Sequence, residues 1–142
     1  MTVRNEASFA WSVDRYIDLF ERSEHPLIRD YEDTEIQYLQ SGIASPELKT
    51  FIDVGAGYGR LIDIVAKSAR EVIAVEVDEN MLVELKKRSK KYDNVAVVCG
   101  DAGELSALID GMRVDSPVML CMQNSIGPWE GDYRKMLSEI RK

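Results

Sequence analysis

The most chemically suggestive stretch of this 142-residue chain is a group of three glycines at alternate positions. They lie within residues 53–60, Asp-Val-Gly-Ala-Gly-Tyr-Gly-Arg, between a strand-like apolar run and a segment with helical apolar spacing. A glycine turn between a strand and a helix lets a ligand approach the backbone closely, because no Cβ stands in the way. We therefore expect Gly55, Gly57 and Gly59, with Ala56 between them, to border a ligand rather than to serve the turn alone.

Polar side chains also follow the next three predicted strands. Glu76 ends the second strand, where a carboxylate can accept hydrogen bonds from both hydroxyls of a ribose. Asp101 follows the third strand and could accept from an exocyclic amine, although Asp101 with Glu104 also matches a helix-capping pattern. Asn124 and Ser125 follow the fourth strand, where they either offer donors and acceptors to a ligand or only shape a turn.

The spacing of the glycines argues against a dinucleotide. The dinucleotide fingerprint places its third glycine after two intervening residues, and this chain has Arg60 at that position. Asp53 stands before the turn, so a phosphate would face a carboxylate. A ligand with an amino group and no phosphate fits this turn better.

Apolar periodicity predicts alternating strands and helices from residue 50 onwards. The predicted strands are 50–53, 71–77, 94–99 and 118–122. The predicted helices between and after them are 59–69, 79–91, 103–109 and 132–141. Continuous apolar runs are typical of parallel strands that are buried on both faces. The alternation therefore predicts an α/β fold, with a doubly wound, mainly parallel sheet, helices on both faces and ligands at the carboxyl ends of the strands.

Two further helices, over 8–22 and 26–40, are predicted ahead of this region. The stripe that runs along the second of them at helical spacing, through Leu27, Tyr31, Thr34 and Tyr38, is more polar than that of the first. We expect residues 1–48 to form a helical cap segment and residues 49–142 to form the α/β core of a single domain.

Composition narrows the range of partners. The net charge is −7, and the five basic residues of 86–91 fit a solvated helix end, so nucleic acid and an anionic membrane are not expected as partners. The chain has one histidine, which argues against a Cys/His zinc site, and no metal is expected. It has neither a spanning apolar run nor an apparent signal peptide, so we expect a cytoplasmic protein with reduced cysteines.

Taken together, these motifs resemble those of class I S-adenosylmethionine-dependent methyltransferases, over residues 50–142. The glycine turn with Asp53 resembles the first motif of that family. Residues 75–82 resemble its second-strand motif, and residues 100–102 resemble the segment that brackets the adenine. Residues 121–127 resemble the end of the fourth strand in members that act on small molecules.

The resemblance implies a Rossmann-like sheet of order 3-2-1-4 and S-adenosylmethionine as the cofactor. It places the glycine turn and Asp53 by the methionine moiety, Glu76 by the ribose, and Asp101 with Ala102 by the adenine. The implied cofactor-binding residues are Asp53, Gly55, Ala56, Gly57, Gly59, Glu76, Val77, Asp101, Ala102 and Asn124. Tyr16 and Ser125 are expected to face the substrate.

The expected reaction is methyl transfer to a small molecule, with no general base identified. The family's sheet has seven strands and only four are predicted here, so we expect a missing C-terminal segment or completion by a partner such as a second copy. Two alternatives stay open. One is a non-catalytic subunit or fragment that binds S-adenosylmethionine. The other is a nicotinamide-dependent oxidoreductase, against which Arg60 speaks.

Overall fold

A single four-stranded parallel sheet forms the centre of the computed structural model, which describes residues 12–122 and 133–141. The strands are β1 Thr50–Val54, β2 Glu71–Glu76, β3 Val95–Cys99 and β4 Val118–Leu120. Their order is β3-β2-β1-β4, and each neighbouring pair runs parallel. The predicted fold class and strand order are therefore confirmed.

The helices divide between the two faces of the sheet. They are α1 Val13–Phe20, α2 Pro26–Ser41, α3 Ile62–Val65, α4 Glu79–Ser89, α5 Leu105–Leu108 and α6 Tyr133–Ile140. Side chains of a strand alternate between its two faces. Accordingly, Phe51 and Val72 pack in a core cluster with α3 and α4, whereas Ile52 and Ile73 pack in a second cluster with α5. This alternation explains why β1 and β2 read as continuous apolar runs.

The helix after the glycine turn is much shorter than predicted. The periodicity predicts a helix over 59–69, but α3 covers only Ile62–Val65. Gly59 has a φ of +86°, outside the right-handed helical region, so the turn extends beyond it before the helix begins. Helix α4 begins at Glu79, as predicted, and the Asp78 carboxylate caps it by accepting from the backbone N–H groups of Asn80 and Met81.

Helix α2 presents its apolar stripe to solvent. Leu27 is 73% exposed and Tyr38 is 62% exposed, whereas Glu32 and Glu35 are buried beside Leu39. An apolar stripe normally marks the side of a helix that faces the core. Here two acidic side chains occupy that side.

No helix among the described residues is long and apolar enough to cross a membrane.

Candidate functional site

Acidic side chains line the carboxyl ends of three adjacent strands. Asp53 lies near the end of β1, Glu76 ends β2, and Asp101 follows β3. Because β3, β2 and β1 are neighbours in the sheet, the predicted acidic residues are arranged along one edge. The turn Gly55–Gly59 follows β1 at the same edge.

Glu76 joins this edge to the glycine turn. Its Oε2 accepts a hydrogen bond of 2.7 Å from the backbone N–H of Gly57. Its Oε1 accepts from the backbone N–H groups of Val77 and Asp78, each at 2.8 Å. A carboxylate has about four acceptor positions, so three backbone bonds leave capacity for a further donor. The carboxylate is thus held in one direction at the end of β2 and can still accept from a further donor.

The three glycines of the turn all have positive φ angles but different surroundings. A Cβ on Gly57 would meet no atom within 4 Å, so the backbone is open to a ligand there. A Cβ on Gly59 would lie 2.9 Å from Leu85 Cδ1 and 3.5 Å from Leu85 Cα. Gly59 therefore permits close packing of α4 against the turn, a structural role. Gly55 is exposed and Ala56 is buried, and both donate backbone hydrogen bonds to the carbonyl of Val75.

Asp53 is a buried carboxyl group, with 3% of the residue exposed. No described residue donates a hydrogen bond to its side chain. Burial raises its pKa to about 7, an effect that Arg60 opposes and that Glu76 and Glu35 reinforce. A buried carboxyl without a donor is costly unless a ligand or a proton compensates it. Asp53 is therefore suited to receive a cationic group.

A buried ion-pair triad connects the glycine turn to α2. Arg60, directly after Gly59, donates to Glu32 at 2.7 Å and also pairs with Glu35. The three side chains are at most 8% exposed. The guanidinium carbon of Arg60 also lies 5.7 Å from the centre of the Phe20 ring. This triad explains the reversed orientation of α2, because its inward acids face a buried cation.

Glu32 and Glu35 were not among the residues predicted from the sequence. The one local signal for them was their spacing of three residues on the side of α2 opposite the apolar stripe. Their partner, Arg60, appeared only as a departure from the dinucleotide fingerprint. Nothing in the sequence indicated that these three residues meet.

The remaining predicted site residues are placed as follows. Asp101 is exposed and its Oδ1 accepts from the Gly103 backbone N–H at 2.7 Å, which is the capping arrangement. Val77 is 63% exposed beside Glu76, and Ala102 begins a 3-10 turn. Tyr16 stacks on Phe20, with ring centres 6.3 Å apart. Asn124 and Ser125 lie outside the described residues.

The residues at this edge fit S-adenosylmethionine. The ribose of that cofactor needs an acceptor, which Glu76 offers with acceptor capacity to spare. Its methionine part needs an accessible backbone, which Gly57 provides. Its ammonium and sulfonium groups need a negative environment, which the buried Asp53 carboxyl supplies when ionised.

Sheet order and site together define a class I, Rossmann-like methyltransferase fold. The family described as "Methyltransferase domain" matches residues 51–142, and the chain belongs to this family. The prediction of S-adenosylmethionine as the cofactor is confirmed by that membership. The YcgJ protein of Bacillus subtilis shares the fold, with a TM-score of 0.63 and 18% identity over 78% of this chain and 45% of that chain.

Two further similarities concern proteins with RNA in their names. The chain is 38% identical over 71 residues to "Probable ribosomal RNA small subunit methyltransferase A" of Methanosarcina acetivorans, covering 48% of this chain and 26% of the relative. A structure titled "putative RNA methyltransferase PH1948", from Pyrococcus horikoshii, is 25% identical with a TM-score of 0.54, covering 85% of this chain and 58% of that chain. The match with the M. acetivorans protein therefore spans about a quarter of the relative's length.

These relatives correct one expectation about partners. The exclusion of nucleic acid was wrong, because curated relatives from two Methanosarcina species, 37–38% identical over the matched segment, are named ribosomal RNA methyltransferases. The exclusion depended on the net charge of −7. Net charge is a sum over the whole chain and does not describe the local surface that meets a substrate.

Proposed function

We propose that this chain binds S-adenosylmethionine at the carboxyl edge of the sheet and that the protein transfers its methyl group to an acceptor. The observation that carries the proposal is the arrangement of Glu76, Gly57 and the buried Asp53 around one open turn. When bound, the cofactor supplies an electrophilic methyl group on its sulfonium. The contribution of the protein is then chiefly to hold the reacting groups in alignment.

The roles proposed for individual residues follow from their surroundings. Glu76 accepts from the ribose, and its backbone bonds fix the direction of its carboxylate before the cofactor arrives. Asp53 faces the cationic methionine part. Asp101 and Ala102 border the adenine, with the Asp101 side chain also capping its own turn. The exposed Val77 offers the base an apolar surface.

Other assignments from the sequence remain proposals of the same kind. Asn124 is proposed at the cofactor, with Ser125 and Tyr16 facing the acceptor. Residues 1–48 are proposed as a cap over the core of residues 49–142. Tyr16 is connected to the site through the stacked Phe20 ring and Arg60.

We propose RNA as the methyl acceptor. Support comes from the names of the curated relatives and from the P. horikoshii structure, which is similar over most of this chain. The identity to the M. acetivorans relative lies in a segment of 71 residues, about half of this chain. A small-molecule acceptor, which the sequence alone favours, is the competing outcome of the same assay.

Calorimetric titration tests cofactor binding. We expect heat of binding with S-adenosylmethionine and S-adenosylhomocysteine and a much weaker signal with NAD. Glu76→Ala should weaken the binding of S-adenosylmethionine and of S-adenosylhomocysteine. The matched control is Glu79→Ala, because Glu79 is an exposed acid in the first turn of α4. The ribose assignment is refuted if Glu76→Ala binds with unchanged affinity. Tighter binding of NAD would instead favour an oxidoreductase.

Methyl transfer is tested separately. The protein is incubated with S-adenosylmethionine carrying a labelled methyl group and with either total ribosomal RNA or a pool of small metabolites. Label in RNA supports the proposed acceptor, and label in small molecules rejects it. Cofactor binding without label in either pool indicates a non-catalytic cofactor-binding subunit.

A further inference from the structure

We propose that Arg88 of α4 is a positioning residue for the cofactor, which holds the glycine turn in place through the ring of Tyr58. The inference depends on the proposed function, because it concerns the cofactor site at that same turn. Arg88 is one of the basic residues of 86–91, which the sequence indicates as a solvated helix end. In the structure its side chain is only 19% exposed, and it contacts the turn, the end of α1 and its own helix.

Tyr58 provides the one side chain within residues 57–59, between two glycines that both have positive φ angles. The residue is buried, with 4% exposed. Glycine has the largest conformational freedom of any residue, so the backbone on either side of Tyr58 is intrinsically loose. Any restraint that a side chain of this stretch can provide therefore comes from the Tyr58 ring. The peptide group that joins Gly57 to Tyr58 is planar, so fixing Tyr58 also limits the orientation of Gly57.

The guanidinium of Arg88 covers the Tyr58 ring. Its central carbon lies 4.8 Å from the ring centre, within the range of a cation–π contact. The Tyr58 hydroxyl is buried and has no hydrogen-bond partner among the described residues. The ring is therefore held by packing and by the cation above it, and not by a hydrogen bond from its hydroxyl.

Glutamates from two parts of the chain fix the orientation of Arg88. Its Nη1 and Nη2 donate to the two carboxylate oxygens of Glu21, at 2.5 and 3.3 Å, and its Nε donates to Glu84 at 3.2 Å. A planar guanidinium can form such paired hydrogen bonds and stack on a ring at once, whereas the ammonium of a lysine cannot. Glu21 directly follows α1, so the hold on the turn depends on the position of α1 in the proposed cap segment.

The restraint reaches the cofactor site at Gly57. Its backbone N–H donates to Glu76 at 2.7 Å, and a Cβ built on it would meet no atom within 4 Å. A shift of Tyr58 would thus displace both the open backbone and one of the donors that orient the Glu76 carboxylate. S-adenosylmethionine and S-adenosylhomocysteine share the parts that meet this turn. Loss of Arg88 should therefore weaken the binding of both.

A direct charge effect of Arg88 would have a different signature. S-adenosylmethionine carries a positive sulfonium, whereas the sulfur of S-adenosylhomocysteine is neutral. Removal of a nearby cation would strengthen the binding of the first and leave that of the second nearly unchanged. The direction of the change therefore separates positioning from electrostatics.

Calorimetric titration with both cofactor forms is the first test. Arg88→Met and Tyr58→Leu should each weaken both by about fivefold, the contribution of a partly desolvated cation–π contact. Arg88→Lys keeps the charge but loses the paired bonds to Glu21, so it should also bind more weakly than wild type. Tyr58→Phe keeps the ring and should bind more tightly than Tyr58→Leu. The matched control is Lys87→Met, because Lys87 is 74% exposed and pairs with the same Glu84.

The role of α1 is tested in the same titration. Glu21→Gln removes the charge that pairs with Arg88 and should weaken the binding of both cofactor forms by about two- to threefold, as expected for a partly exposed ion pair. Asp18→Asn is the matched control, because Asp18 also lies on α1 but pairs with the exposed Arg22. Binding by this control should equal that of the wild type.

Amide hydrogen exchange measured by NMR tests the hold on the turn without any ligand. The Gly57 amide should exchange faster in Arg88→Met and Tyr58→Leu than in wild type, because the turn opens more often. The amide of Ile73, buried in β2, reports opening of the core and should change less. Lys87→Met should leave both amides at their wild-type rates.

Three results overturn the inference. They are unchanged affinity for both cofactor forms in Arg88→Met and Tyr58→Leu, tighter binding of S-adenosylmethionine alone in Arg88→Met, and an equal rise in exchange at Gly57 and Ile73. If Arg88→Met does not fold, Arg88→Lys and Tyr58→Leu decide by the same measurements. Failure of the wild type to bind either form would reject the proposed function instead, and it is distinct because it is observed before any variant is compared.

Discussion

Asp53→Asn should stabilise the folded protein at neutral and alkaline pH and weaken its binding of S-adenosylmethionine. The wild-type carboxyl is buried, has no hydrogen-bond donor among the described residues, and has a pKa raised to about 7. Its ionised form is therefore unfavourable in the folded protein. Asparagine has nearly the same shape and no charge, so it removes this cost.

The magnitude follows from the shift in pKa. The ordinary value for this group is 3.8 and the folded value is about 7. A shift of about three units, at about 1.4 kcal/mol per unit, corresponds to about 4 kcal/mol. Because the folded state keeps its proton to higher pH than the unfolded state, the contribution of Asp53 to stability falls as the pH rises from about 4 to about 7, then stays constant.

Denaturant unfolding at several pH values measures this effect. Between pH 5 and pH 8, the free energy of unfolding of Asp53→Asn relative to wild type should rise by about 2 to 3 kcal/mol. Asp110→Asn, in an exposed turn, is the control and should show no such change. If the difference in free energy of unfolding between the wild type and Asp53→Asn stays constant across this range, folding does not raise the pKa of Asp53 and the reasoning is refuted.

Cofactor binding should favour the ionised form of Asp53, whereas folding favours the protonated form. A cationic ligand favours the ionised carboxyl, so the affinity of the wild type for S-adenosylmethionine should rise with pH up to about 7. Asp53→Asn should bind more weakly and without this rise. The variant should thus be more stable than the wild type and bind the cofactor more weakly, as is common where a site holds an unfavourable group.

Four further substitutions should each change stability or cofactor affinity in a known direction. Gly59→Ala should destabilise the fold by about 2 kcal/mol in thermal unfolding, because φ is +86° and its Cβ would press on α4. Gly57→Ala has open space but a φ of +57°, so it should cost about 1 kcal/mol and mainly reduce cofactor affinity by calorimetry. Arg60→Met removes the buried cation that pairs with Glu32 and Glu35 of α2 and should cost about 3 to 5 kcal/mol in denaturant unfolding. Asp78→Ala removes the cap of α4 and should cost about 1 kcal/mol by the same measurement.

The sheet was predictable from sequence because its signals are local. The run Val72–Val75 is apolar without interruption, since β2 has strands on both sides and helices on both faces. Strand limits agree with the predicted ones to within two residues. The order β3-β2-β1-β4 came from the resemblance to a family rather than from the pattern itself.

Within the glycine turn, the sequence could not separate the roles of the three residues. All were expected to border a ligand. The structure shows that Gly59 is required by the approach of Leu85, which is 26 positions further along the chain. Similarly, the sequence allowed both an adenine contact and a capping role for Asp101. The Gly103 bond shows that capping is one of its roles, and the adenine contact stays a prediction. Such distinctions depend on neighbours that spacing along the chain does not reveal.

The case of α2 shows the limit most clearly. Its apolar stripe identifies a helix correctly but indicates the wrong side as buried, because hydrophobic periodicity assumes that the core is apolar. Here the neighbouring surface of the core includes a cation, Arg60, whose ion pairs with Glu32 and Glu35 span 28 and 25 positions. Once that cation is buried, the acidic side of the helix is the side that must face it.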